Sequence, residues 1–219
     1  MKLGYSPWGN GHQTYPFDAI FAEKQDCFQE GFDGVNAFLL WGGTDIHPSY
    51  YGQKHHAWSG APSNPSVRDQ FEWQAMKYCK AHGIPMIGVC RGAQFLCAFA
   101  GGKLIQDVSG HGTSHTMTTL EGEIMTTTSS HHQMLDVFGT NHELLAWSTI
   151  NRSDHYYGEQ SQTPSHIDVK KFVEPEVVFF PDIKALAIQG HPEWADESDR
   201  FVEYCLEQVK ACLLDEVWT

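Results

Sequence analysis

One cysteine lies between an apolar run and a helical stretch, in a spacing that suits a nucleophile. Residues 88–92 read Gly-Val-Cys-Arg-Gly, a G-x-C-x-G motif. Such a turn needs small neighbours because strand and helix come close behind it, and the first N–H groups of the helix favour a thiolate. Cys90 is therefore a candidate nucleophile. The alternative is a buried cysteine at a sheet edge, which is how we interpret Cys97, Cys205 and Cys212.

A candidate base follows the last apolar strand. Residues 189–193 read Gln-Gly-His-Pro-Glu, and Pro192 keeps His191 out of the helical region. In an extended segment residues i and i+2 point the same way, so Glu193 can lie beside His191 and orient it. The alternative is a surface turn with a solvated histidine. That alternative weakens if this strand and the Cys90 strand share one parallel sheet, whose carboxyl ends meet at one edge.

Paired glycines follow a third apolar run. Residues 41–45 read Trp-Gly-Gly-Thr-Asp, and consecutive glycines let backbone N–H groups approach an oxyanion without a side chain in the way. We predict the N–H groups of Gly43 and Arg91 as the two donors. Without the other two motifs, a plain β-turn would explain this segment better.

Strands and helices must alternate to position these motifs. Apolar runs at 2–5, 36–41 and 85–89 predict strands, and helices are predicted from about 67 to Gly83 and over 91–100. This alternation is typical of a parallel α/β sheet. In the second half, threonine-rich residues 113–128 predict strands or a hairpin, 176–180 and 185–189 predict two more strands, and 201–213 a closing helix. Residues 150–170 are predicted to form an exposed excursion.

The composition excludes several classes of protein. Fourteen Lys and Arg against 27 Asp and Glu leave a net charge of −13 without any basic run, so we expect neither a nucleic-acid nor an anionic membrane partner. The chain has no apolar run of about 18 residues, so we predict no membrane-spanning helix. Six cysteines without a C-x-x-C pair indicate a reduced, cytoplasmic protein. A length of 219 residues suits a single domain over 1–219.

Taken in order, the motifs resemble those of the class I glutamine amidotransferase family. Within it the chain is most similar to the γ-glutamyl hydrolase-like branch, peptidase C26, which includes γ-glutamyl-γ-aminobutyrate hydrolase. The matching stretches are residues 42–52, 68–69, 88–94, 111–115, 130–133 and 189–194. The resemblance implies a three-layer, flavodoxin-like α/β fold with a mostly parallel sheet flanked by helices and an antiparallel extension in the second half.

The resemblance also implies a reaction and its residues. Cys90, His191 and Glu193 would form a triad that attacks a γ-glutamyl amide and passes through a γ-glutamyl thioester. Gln94 matches a residue that holds the glutamyl group, and His131, His132 and Gln133 match a loop of the same pocket, so the resemblance implies that all four bind the substrate. Gln94 could instead be a polar residue one turn into a helix, and the two histidines a solvated loop or a metal pair. We assign a structural role to His111 and His115, and expect no metal and no cofactor.

Three functions remain open. The first is a glutaminase that releases ammonia for a separate synthetase. The second is a free-standing hydrolase of a γ-glutamyl derivative of a small amine, and the third is a catalytically silent binding module, which the intact set of Cys90, His191 and Glu193 disfavours. An α/β-hydrolase with a cysteine nucleophile shares G-x-C-x-G, but its acid precedes its histidine in the chain. The sequence therefore favours hydrolysis of a γ-glutamyl amide, with glutamine first.

Overall fold

The computed structural model describes residues 1–10 and 13–214. Its strands are β1 (Lys2–Tyr5), β2 (Glu23–Asp26), β3 (Ala37–Leu40), β4 (Met86–Val89), β5 (Lys103–Ile105), β6 (Asp107–Val108), β7 (His115–Thr119), β8 (Ile124–Thr127), β9 (Met134–Asp136), β10 (Glu143–Ser148), β11 (Tyr156–Tyr157), β12 (Pro175–Phe180) and β13 (Ala185–Ile188). The helices are α1 (Cys27–Glu30), α2 (Val67–His82), α3 (Arg91–Phe99) and α4 (Arg200–Val209), which continues as a π-helical turn over Lys210–Leu214. Within these residues, no helix has the length and apolar content needed to cross a membrane.

Nine strands form the main sheet in the order β2-β1-β3-β4-β13-β12-β10-β7-β8. The first five strands are parallel, and the last four pair antiparallel. β13 lies directly beside β4, with Ile188 paired to Val89. The predicted parallel sheet with an antiparallel extension is confirmed, as is the hairpin over 113–128, which is β7 and β8. Because β4 and β13 end together, the chain segments that follow them meet at one edge.

Alternate residues of the central strands pack into two separate cores. On β3, Phe38 and Leu40 belong to the core beneath α2 and α3, whereas Leu39 belongs to the core beneath α4. A strand covered on both faces needs apolar residues at every position, and β3, β4 and β13 are fully buried along their length. Helices therefore cover both faces of the sheet, which gives the predicted three layers.

The segment after β10 differs from its prediction. Residues 150–170 were expected to form an exposed excursion, but Tyr156 is fully buried and Ile167 nearly so, in a small third core. β11 pairs with β6, and the Tyr156 hydroxyl donates to Glu174 at 2.7 Å. This expectation is therefore wrong for the middle of the segment. Its burial depends on residues distant in the sequence, so the local composition did not indicate it.

Candidate active site

The turn between β4 and α3 holds Cys90 in an unusual backbone conformation. Its φ of 51° and ψ of −105° are rare for a residue with a side chain, and such strain costs on the order of 1–3 kcal/mol. The Cys90 N–H donates to the carbonyl of Ile188 on β13 at 2.8 Å. Behind the turn, a Cβ on Gly88 would lie 2.5 Å from Gly92, and one on Gly92 would lie 2.2 Å from the Leu40 carbonyl oxygen. The two glycines therefore allow the close approach that the motif predicted.

His191 and Glu193 lie just beyond the end of β13. Nδ1 of His191 hydrogen-bonds Oε1 of Glu193 at 2.8 Å, and the ring also interacts with the side chain of Cys90. Although burial lowers the pKa of His191, its hydrogen bonds to Cys90 and Glu193 raise that pKa to about 9. At neutral pH the ring is therefore an imidazolium, and it lies beside the sulfur of Cys90. The structure thus brings together the three residues predicted from two distant motifs.

Two further residues hold His191, and sequence reasoning missed both. The His191 N–H donates to the Thr128 carbonyl at 3.0 Å, and the Thr128 hydroxyl donates back to the His191 carbonyl. Trp194 stacks on the imidazole, with ring centroids 3.7 Å apart and planes only 2° from parallel. Thr128 follows β8 at the far edge of the sheet, so no local pattern links it to His191, whereas an aromatic residue one position after Glu193 was a signal available in the sequence.

The glycine pair after β3 is oriented by an arginine of α2. Arg68 donates from Nη1 to the Gly42 carbonyl at 3.0 Å and from Nη2 to the Trp41 carbonyl at 2.6 Å. In a trans peptide the carbonyl and the following N–H point in opposite directions. With the Gly42 carbonyl held by Arg68, the N–H of Gly43 therefore points away from Arg68. Gly43 has a φ of 140°, which favours glycine at this position.

A buried ion-pair network links the two predicted N–H donors. Nε of Arg68 donates to Glu72 at 2.9 Å, and the Arg91 guanidinium donates to Glu72 and to Asp69. Ser6 also donates to Glu72, at 2.6 Å. Although burial raises the pKa of Glu72, Arg91 and Arg68 lower it below its usual range. Glu72 therefore stays ionised and connects Arg68, which holds the Gly42 carbonyl, to Arg91, whose N–H is the second predicted donor. Sequence reasoning did not identify Glu72.

Two open cavities adjoin these groups. One of about 210 Å³ is lined by Gly42, Gly43, His191 and Trp194, together with the N-terminal loop at Asn10. A larger one of about 540 Å³ also borders Gly43 and is lined by Trp8, Asp45, Pro62 and Arg68 among others. The N-terminal loop is held close to the glycine pair, because a Cβ on Gly9 would lie 2.3 Å from the Gly42 carbonyl oxygen. Space for a small substrate is therefore present beside Gly43 and His191.

The residues predicted to bind substrate lie in one neighbourhood but differ in exposure. Gln94 and Gln133 are buried, and Nε2 of Gln94 donates to the Gln133 carbonyl at 2.9 Å. His132 is half exposed, and its hydrogen bonds to Asp45 and Asp107 raise its pKa, although burial opposes them.

His131, by contrast, points into the interior. Its ring packs against His111 with centroids 4.7 Å apart, and Nδ1 donates to the Gln133 carbonyl at 2.9 Å. Burial and the neighbouring His111 lower the pKa of His131 well below its usual range. His111 and His115, for which a structural role was predicted, are both buried beside it. The adjacent residues His131 and His132 therefore face different surroundings.

Comparison with known proteins identifies the family. The peptidase C26 family model matches residues 11–144, more than half of the chain; this range contains Cys90 and ends before His191. A glutamine amidotransferase-like protein, the YvdE homologue of Lactococcus lactis subsp. cremoris, is 41% identical over 75 residues, which are 34% of this chain and 39% of the relative. Glutamine amidotransferase-like protein YvdE of Lactococcus lactis subsp. lactis is 29% identical over 168 residues, or 76% of this chain and 70% of the relative.

Solved structures show the same fold. A glutamine amidotransferase from Thermotoga maritima superposes with a TM-score of 0.59 at 11% identity, over 98% of this chain and 86% of that one. The chain spans about half or less of two of its relatives, 39% of the Lactococcus lactis subsp. cremoris protein and 51% of one from Mycobacterium tuberculosis. From its sequence match and its fold, the chain belongs to the glutamine amidotransferase-like peptidase C26 family.

Proposed function

We propose that the chain hydrolyses the γ-amide of glutamine and releases ammonia for a separate synthetase. The observation that carries the proposal is the contact of Cys90 with His191 and of His191 with Glu193, at the ends of neighbouring strands. Membership of a glutamine amidotransferase-like family supports the same class of reaction. No cofactor is needed for the chemistry, because a thiolate and an imidazolium supply both the nucleophile and the proton.

In the first half-reaction, Sγ of Cys90 attacks the γ-carbonyl carbon, and the carbonyl electron pair moves onto oxygen. The N–H groups of Gly43 and Arg91 donate to this oxyanion, which is more negative than the carbonyl it replaces. His191 then gives its proton to the leaving nitrogen while the C–N bond breaks. Ammonia departs and a γ-glutamyl thioester remains on Cys90. Glu193 holds His191 in the orientation that this transfer needs.

In the second half-reaction, neutral His191 takes a proton from water as the water oxygen attacks the thioester carbon. The same two N–H groups bind the second oxyanion. The C–S bond then breaks, the electron pair returns to the sulfur of Cys90, and glutamate leaves. The proton taken from water stays on His191, and the site returns to its starting state. Although burial lowers the pKa of His191, its hydrogen bonds to Cys90 and Glu193 raise that pKa to about 9, so the ring keeps this proton at neutral pH.

A free-standing γ-glutamyl hydrolase is the second candidate. The cavity of about 540 Å³ beside Gly43 favours it, because ammonia does not require so much space whereas a larger amine does. Trp8 and Pro62 line this cavity and offer apolar surface to the carbon chain of such an amine. The chemical steps are unchanged, and only the leaving amine differs.

Glutamate release from purified protein tests both candidates. The substrates are glutamine and γ-glutamyl amides of small primary amines. We expect Cys90→Ser to lower kcat by at least about 10³-fold, since removing a nucleophile leaves only the contribution of the oxyanion donors and binding. Cys212→Ser is the matched control, because Cys212 is a half-buried free cysteine outside the three motifs. This variant should retain full activity.

The outcomes separate cleanly. Undiminished glutamate release by Cys90→Ser would exclude the thioester mechanism. Rapid cleavage of a γ-glutamyl amine with glutamine left intact would exclude the glutaminase and support the second candidate. Added synthetase candidates that raise glutamine turnover in a binding-dependent manner would support ammonia delivery to a partner.

A further inference from the structure

A second group of reactive side chains lies in the interior of the antiparallel half. His111, His131 and Glu176 are all buried, and one potential metal-ligand atom from each lies within 4.8 Å of those of the other two. We call these three residues the buried histidine cluster. Among residues 1–10 and 13–214, these three form the group of His, Cys, Asp or Glu side chains whose ligand atoms lie close enough together to share one ion. None of these three side chains takes part in the proposed cleavage of the γ-glutamyl amide.

The hydrogen bonding of His131 leaves one ring nitrogen with a free lone pair. Its Nδ1 lies 2.9 Å from the carbonyl oxygen of Gln133, and a carbonyl only accepts, so Nδ1 carries the proton. In a neutral imidazole the other nitrogen is then an acceptor. That atom, Nε2, is buried and has no hydrogen-bond partner. A histidine that donates from one nitrogen to a backbone carbonyl and presents the other is the usual arrangement of a metal ligand.

The Glu176 carboxylate has a similar division. Oε1 lies 2.8 Å from Nε2 of His115, whereas Oε2 is buried without a partner. His111 lies between two carboxylates, with Nε2 at 3.1 Å from Oε2 of Glu174 and Nδ1 at 3.6 Å from Oε1 of Glu176. Buried acceptors without donors are costly, because they have lost their hydration and gained nothing. A single cation would satisfy the unpartnered atoms of the cluster together.

We propose that His111, His131 and Glu176 bind one divalent transition metal ion of the zinc class. Two imidazoles and one carboxylate suit zinc, whereas calcium and magnesium prefer oxygen ligands alone. Around tetrahedral zinc, ligand atoms lie about 3.4 Å apart. The cluster, now up to 4.8 Å across, therefore contracts on binding. Glu174 and His115 hold the outer atoms of the ligands, as carboxylates and histidines commonly do around metal sites.

The ion would join segments that support His191. His111 lies after β6, His131 lies after β8, and Glu176 lies on β12, which pairs with β13. Thr128, which holds the backbone of His191 at both its N–H and its carbonyl, precedes His131 by only three residues. Metal binding thus stabilises the antiparallel half and the segment beneath His191, without the ion touching a substrate.

Metal content and metal affinity test the proposal on the full chain. The protein is stripped with a chelator, titrated with Zn²⁺ and Co²⁺, and its bound metal is measured by elemental analysis after gel filtration. We expect one equivalent of Zn²⁺, a rise in the thermal unfolding midpoint, and visible absorption bands of Co²⁺ in low-symmetry coordination. In His131→Gln and in Glu176→Gln the affinity should fall by at least about 10²-fold.

Surface histidines provide the matched control. His47 and His55 lie with ring centroids 5.1 Å apart near the surface and could hold a metal adventitiously. His55→Gln should retain the full equivalent. The proposal is overturned if folded wild-type protein retains no stoichiometric metal, or if His55→Gln loses it. Because metal content is measured without substrate, this result does not depend on whether the chain cleaves glutamine, and the wild-type measurement stands even if a cluster variant does not fold.

Discussion

A methyl group at position 42 would meet the predicted base before any other side chain. A Cβ on Gly42 would lie 2.9 Å from Cε1 of His191 and 3.5 Å from Cβ of Cys90. Ordinary contact begins at 3.4 Å, so the shortfall against His191, 3.4 Å less 2.9 Å, is about 0.5 Å. The φ angle of Gly42 is not positive, so Gly42→Ala introduces this contact without backbone strain.

The imidazole can relieve the contact in one direction only. Its Nδ1 is held by Glu193 at 2.8 Å, and its backbone by Thr128, whereas Trp194 on its face is 57% exposed and can move. Relief of the contact therefore displaces the ring from its position beside Cys90. A 1 Å misplacement of a reacting group can cost about 10²-fold, so a shift of half that size lowers kcat/KM about tenfold. That factor corresponds to about 1.4 kcal/mol of transition-state stabilisation.

Two assays report this loss independently. Glutamate release gives kcat/KM, and the rate of Cys90 alkylation by iodoacetamide at neutral pH reports the reactivity of the Cys90 sulfur beside His191. The alkylation assay needs no substrate, and Cys90→Ser provides its background. Gly112→Ala is the matched control, because a Cβ on Gly112 meets no atom within 4 Å and its φ is not positive. Both assays should fall by similar factors in Gly42→Ala and remain at the wild-type level in Gly112→Ala.

A wild-type alkylation rate in Gly42→Ala would refute the placement of His191 against Cys90. An equal loss in Gly112→Ala would attribute the effect to the added methyl group in general and not to this contact.

Three further substitutions test the same site. Arg68→Lys replaces three directed hydrogen bonds with a single ammonium group, so the N–H of Gly43 loses its orientation. We expect kcat to fall about 10²-fold in steady-state assays. A loss of less than about threefold would contradict this role of the arginine. Glu193→Gln removes an interaction that raises the pKa of His191, so the alkaline limb of activity, expected near pH 9 in the wild type, should move to lower pH; an unmoved limb would argue against the contact. Gly92→Ala places a Cβ 2.2 Å from the Leu40 carbonyl oxygen and should lower the free energy of unfolding by about 3 kcal/mol or more, since ordinary overpacking already costs about 1–3 kcal/mol. Urea denaturation measures this loss, and an unchanged midpoint would contradict the close packing.

The parallel half of the sheet could be predicted because its signals are local. The central strands are covered on both faces, so each reads as a continuous apolar run, and β3, β4 and β13 lie within a residue or two of the predicted bounds. The predicted end of α2 near Gly83 agrees with a left-handed glycine at its C-cap. The three motifs that follow β3, β4 and β13 could be predicted to lie close together because neighbouring parallel strands end at one edge of the sheet.

The interior of the antiparallel half could not be predicted in the same way. Glu174 immediately precedes β12 and Glu176 is its second residue, beside a strand that was expected to be apolar, yet both carboxylates are buried. Their partners, His111 and His115, are separated from them by about 60 residues, and no spacing rule relates the two groups. A buried charge is recognisable only from its partners, so we predicted a structural role for His111 and His115 and a place in the substrate pocket for His131, without any indication that these side chains lie together.

Helix α2 contributes a buried ion-pair network that its sequence spacing does not indicate. Arg68 and Glu72 are one helical turn apart, a spacing that on an exposed helix indicates a minor surface ion pair. Here the pair is buried, and Glu72 also binds Arg91 at the first position of α3. Removing any one member leaves an uncompensated charge in the interior, which typically costs about 3–5 kcal/mol. The orientation of the predicted oxyanion donors and the stability of the fold therefore depend on the same network, and a substitution at Glu72 should impair both together.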